Sequence, residues 1–222
     1  MRNHIFGLLG AAALTMTSAA NAVVTIDFGS APGNLGPDRD YTAGGLTVTA
    51  SGYADNDVDG DLYGKNFGGD EQGLGLAADP SGQNEIYVAG TGSGAFIQLD
   101  VSGILDSVSM AQFFMGSTTL GEGWLVYGSN TDACGIGCGS LLLSGNDELV
   151  LRPLSDWGTY SFYDFYATGT SHNPGGNVLL GGLELTPSVP EPGTWGMMLL
   201  GFAGVGLVIR RSRKKVAPSQ LA

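Results

Sequence analysis

No stretch between Val23 and Ser188 holds an apolar period of 3.6 residues over three turns. The regular elements there must therefore be strands. Short β-rich runs recur instead, broken by Gly, Asn, Asp and Ser. Ten are predicted: Val23–Phe28, Gly45–Tyr53, Glu85–Ala89, Ala95–Val101, Leu105–Phe114, Gly123–Gly128, Ser140–Leu143, Glu148–Leu151, Thr159–Ala167 and Asn177–Thr186. In the ninth, Tyr160, Phe162, Asp164 and Tyr166 alternate with Ser161, Tyr163 and Phe165. One of its faces is expected to be apolar and the other aromatic. So many short strands between turn signals predict an all-β sandwich, a jelly roll before any other sandwich topology. The segments 29–44 and 52–84 are polar and Gly-rich and are expected to be long loops.

Charge narrows the function. The chain has 21 Asp and Glu against 9 Lys and Arg, a net −12. All but one of the acids lie in 23–188, with only Arg39, Lys65 and Arg152 to balance them. A domain this acidic repels phosphate backbones, which excludes nucleic acid as a partner. It suits divalent cations or basic partners.

The two ends read as addresses. Residues 1–22 have a basic start at Arg2, an apolar run from Ile5 to Leu14, and a small-residue site at Ala20-Asn21-Ala22. That is a secretory signal peptide cleaved after Ala22. The exported domain is then 23–188. Beyond it, Pro190-Glu191-Pro192 and Trp195 precede an uncharged run to Ile209 and the bases Arg210, Arg211, Arg213, Lys214 and Lys215. The two prolines set an extended segment. The run predicts a transmembrane helix over about 194–209, short for a bilayer and thinned by Gly196, Gly201, Gly204 and Gly206. Trp195 suits an interfacial anchor, and the basic cluster holds the tail 216–222 in the cytoplasm.

Residues 190–215 resemble the PEP-CTERM protein-sorting signal of Gram-negative bacteria. Pro190-Glu191-Pro192, Trp195, the run Met197 to Gly204 and the basic cluster carry the resemblance. It implies recognition by an exosortase, a membrane protease, during transient residence in the inner membrane. It also implies a cut near Pro-Glu-Pro and delivery to the cell surface or to an extracellular polysaccharide matrix. Exopolysaccharide is the partner this implies. The extension Val216–Ala222 runs past the point where many such signals stop.

Within the domain, Asp55, Asp57, Asp59, Gly60 and Asp61 form the first half of a calcium loop. The twelfth position is Asn66 rather than Glu, and no helices flank the loop, so it is not an EF-hand. An irregular calcium site would draw on Asp70, Glu71 or Asp79 to complete it. Cys134 and Cys138 are spaced by Gly135-Ile136-Gly137 and are expected to pair in an oxidising compartment and pin a hairpin tip. His172 is the domain's single histidine, and neither a nucleophile elbow nor an H-E-x-x-H pattern is present. The domain is therefore expected not to be an enzyme. Trp124, Tyr127, Trp157, Tyr160, Tyr163 and Tyr166 are expected mostly in the core, with Trp157 the best exposed candidate for a sugar platform. Two readings stand: a structural surface or matrix protein, and a calcium-dependent carbohydrate-binding or adhesion module.

Overall fold

The computed structural model describes residues 22–54, 58–88, 94–169, 176–188 and 192–212. Fifteen strands are present among them. They are β1 (Val24–Asp27), β2 (Gly33–Gly36), β3 (Asp38–Ala43), β4 (Leu46–Ala54), β5 (Val58–Asp59), β6 (Leu62–Asn66), β7 (Gln72–Leu76) and β8 (Ile86–Tyr87). β9 (Phe96–Asp100), β10 (Val108–Gly116), β11 (Glu122–Ser129), β12 (Ser140–Gly145), β13 (Arg152–Pro153), β14 (Phe162–Gly169) and β15 (Asn177–Pro187) follow. A helix, α1 (Pro192–Ser212), ends the described chain.

The strands form two antiparallel sheets. One has the order β13-β10-β15-β7-β6-β2, with β1 and β8 also paired to β15. The other runs β12-β11-β14-β9-β4-β3, with β5 paired to β4. Alternation sends one row of each sheet inward to a shared core. Val48 and Ala50 of β4, Leu74 and Leu76 of β7, and Phe113 of β10 are fully buried there. Phe113 meets Trp124 and Phe165 of the facing sheet edge-on, at centroid distances of 5.2 and 5.1 Å. Such contacts between the sheets lock their relative placement. The all-β sandwich expected from the sequence is the fold observed.

β14 behaves as its alternation predicts. Tyr163 and Phe165 enter the core between the sheets. Tyr166 lies on the other face, where it stacks with Phe96, and Phe96 stacks in turn on Tyr53.

Two expectations need correction. The segments 29–44 and 52–84 are not long loops: they hold the whole of β2, β3, β6 and β7, and the short β5. Leu62, Leu74 and Leu76 there are fully buried. The glycines that looked like loop punctuation serve close packing instead. A Cβ on Gly75 would run into the backbone of Asn84 and Glu85. Second, the strand predicted at Glu148–Leu151 does not form. Leu149 has φ 55°, which takes it out of the extended region, and only Arg152–Pro153 pair with β10.

Candidate functional site

The disulfide joins Cys134 and Cys138 in the connection from β11 to β12, with Cα atoms 5.6 Å apart. The hairpin-tip role is thus the one observed. This connection reaches over the second sheet, where the Ala133 amide donates to Gln98 Oε1 at 3.3 Å.

The acidic loop is only partly described. Asp55 and Asp57 lie outside the described residues, as does His172. Asp59 of β5 lies opposite Tyr53 of β4, and Asp61 Oδ2 accepts a hydrogen bond from Asn34 Nδ2 at 2.7 Å. Asp79 is not turned toward that loop. Its carboxylate accepts from the Ser81 amide and hydroxyl and from the Glu85 amide, at 2.9, 2.7 and 3.1 Å. No group of three His, Cys, Asp or Glu among the described residues is placed to hold a metal ion.

Glu71 belongs to a different assembly. Lys65 on β6 is 6% exposed and pairs with both Glu71 and Glu85, the latter 2% exposed. Ser117 Oγ lies 2.8 Å from Glu85 Oε1 and 2.9 Å from Glu71 Oε1. Burial on its own lowers the Lys65 pKa, but the hydrogen bonds and charges of Glu71 and Glu85 outweigh it and raise the pKa. The ammonium thereby fixes the short 3-10 turn Gly69–Glu71 against the sheet.

That turn forms one wall of a groove on the outer face of the first sheet. The groove has a volume of about 330 Å³ and is lined by Thr25, Asp27, Gln72, Phe114, Leu149 and Gly181, together with Gly69 of the turn. Its geometry follows from register. Phe114 of β10 and Asp27 of β1 both lie opposite Gly182 of β15, so the three stand in a row across the sheet. The Phe114 ring lies over Gly181 and Gly182, where any Cβ would collide with it. Thr25 and Asp27 are two apart on β1 and share one face. Asp27 Oδ2 accepts from Gln72 Nε2 at 2.9 Å, and its Oδ1 accepts from the Gly29 amide at 2.9 Å. Leu149 closes one side, its amide donating to the Met115 carbonyl at 2.8 Å.

The sequence reading missed this groove. One signal was there: two adjacent glycines inside the predicted strand Asn177–Thr186 weaken a strand unless something approaches closely. The favoured platform, Trp157, lies in the connection between β13 and β14, apart from this groove. It is half-buried, stacks on Tyr163 at 5.8 Å, and donates its indole N–H to the Val108 carbonyl at 2.9 Å.

At the C-terminal end, α1 starts at Pro192, four residues after Ser188. Pro190, Glu191, Arg213, Lys214 and Lys215 lie outside the described residues, as do Ala20 and the rest of 1–21. Met198, Leu200, Phe202, Val205 and Leu207 of the helix are exposed. Residues 188–214 match the family model of the PEP-CTERM protein-sorting motif. The chain carries a PEP-CTERM sorting signal. No curated protein and no solved structure matches the chain. The signal marks an exported protein targeted to an exosortase. The expected transmembrane helix is corrected in one respect. A helix of 21 residues forms, but no helix among the described residues is long and apolar enough to cross a membrane. Gly196, Gly201, Gly204 and Gly206 dilute its apolar content.

Proposed function

We propose that this chain is the precursor of a cell-surface or extracellular-matrix protein. Its sandwich is jelly-roll-like, performs no catalysis, and acts in contact with exopolysaccharide. The carrying observation is the place of the PEP-CTERM match. The last core strand, β15, ends at Pro187, and the matched segment begins at residue 188. A cut near Pro190-Glu191-Pro192 thus frees the whole sandwich and removes α1 with its basic cluster. The exposed apolar side chains of α1 support the same reading, because such a surface needs cover until the cut is made. The inner membrane and the exosortase supply that cover. The strong negative charge keeps the released domain soluble.

Replacing Pro190-Glu191-Pro192 with three alanines tests this. In the native host the variant is expected to stay with the inner membrane at its unprocessed mass, while the unaltered chain moves to the surface or matrix fraction. A variant processed and delivered like the unaltered chain contradicts the proposal.

A further inference from the structure

We propose that the groove over Phe114 binds an uncharged pyranose unit of a polysaccharide. This rests on the reading above that the sandwich meets exopolysaccharide, and it names where and by what chemistry.

The groove presents the two things a sugar ring needs. The first is a flat apolar floor. Phe114 is half-buried, its ring fills the space over Gly181 and Gly182, and it lines the groove. The C–H face of a pyranose packs on such a ring, as apolar surface does on aromatic faces generally. The second is a fan of hydrogen-bonding groups at the rim. Thr25 offers a hydroxyl, and Gln72 an amide. The Asp27 carboxylate has two oxygens, each engaged once, by Gly29 and by Gln72. Each carboxylate oxygen keeps a lone pair for a sugar hydroxyl. Asp27 is already oriented by those two bonds, so little ordering is lost on binding.

Charge chooses among polysaccharides. No Lys or Arg lines the groove, and its single ionisable group is the Asp27 carboxylate. The described part of the domain carries only three bases, and Lys65 is already paired beneath the neighbouring turn. Uronic-acid, sulfated or phosphorylated polymers are repelled by such a surface. Neutral hydroxyls are not. A volume of about 330 Å³ lies at the small end of ligand sites, which suits one ring with the polymer continuing outside.

Affinity gel electrophoresis of the full chain in a sugar-free detergent, with chelator throughout, tests the inference. The probes are dextran, galactomannan and xylan as neutral polymers, alginate as the anionic one, and a Lys-rich peptide as competitor. Retardation by at least one neutral polymer and none by alginate is expected. Phe114→Leu keeps Gly181 covered but removes the flat face. Thr25→Trp fills the groove from an exposed position. Each is expected to weaken retention several-fold, at a temperature where melts show both variants folded, with Phe114→Leu lowering the melting temperature by about 2–4 °C. Retention undiminished in both variants overturns the assignment of the groove while leaving the glycan reading standing. Retardation by alginate alone, displacement by the peptide, or no retardation at all overturns the inference. None of these touches the sorting reading, which is tested by C-terminal processing.

Discussion

Lys65 shows how one residue can hold a surface in place. Its buried ammonium holds the buried carboxylate of Glu85 on one side and the partly exposed carboxylate of Glu71 on the other. Removing its charge leaves Glu85 buried without a cation. Lys65→Met is therefore expected to cost about 3–5 kcal/mol in chemical denaturation, the usual penalty for breaking a buried pair from one side. An unchanged midpoint would show that the pair is dispensable. The pH dependence has a definite sign. Lys65 has a raised pKa in the fold, and burial pushes Tyr41, Tyr53 and Tyr163 up from 10 to about 12. Groups raised in this way stabilise the fold fully below their unfolded pKa and lose that contribution as pH rises through the folded one. Stability from these four groups is expected to hold through neutral pH and to fall between about pH 10 and 12. Thermal melts against pH, with tyrosinate absorbance followed in parallel, check this. None of it was legible in the sequence. Lys65 stood there as one base among many acids, and burial depends on neighbours such as Glu85 and Ser117 that lie far along the chain.

At the scale of elements, the strands with clean alternation were readable and those broken by glycine were not. β14 and β9 declare themselves by Tyr163, Phe165, Phe96 and Ile97. β6 and β7 read as loop because their glycines imitate turn signals, whereas the space at Gly75 is set by a distant backbone segment. The strand predicted at Glu148–Leu151 fails for the opposite reason: its composition suits a strand, but the backbone turns at Leu149. The Cys134–Cys138 pairing was readable, since compartment and spacing both pointed to it. A closed loop this short restricts the unfolded chain modestly. Changing both cysteines to serine is expected to cost about 2 kcal/mol on the loop-entropy account. Denaturation with and without reductant measures it, and equal midpoints would remove the disulfide from the stabilising interactions. The groove was hidden from the sequence because Asp27, Gln72, Phe114 and Gly181 come from four strands. Only the register along β15 brings them together.

For the whole molecule, the division of labour is between an acidic sandwich and a short C-terminal address. The address was the most legible part, because its motif is local and needs no fold to be recognised. The sandwich was legible as a class and not as a site. The account makes the sandwich the product and the helix Pro192–Ser212 a handle to be discarded. Intact-mass and C-terminal peptide spectra of the protein recovered from the surface and matrix of its host test that most directly. The account predicts a mature chain that lacks α1 and ends near Pro190-Glu191-Pro192. A mature protein in those fractions still ending at Ala222 would contradict it.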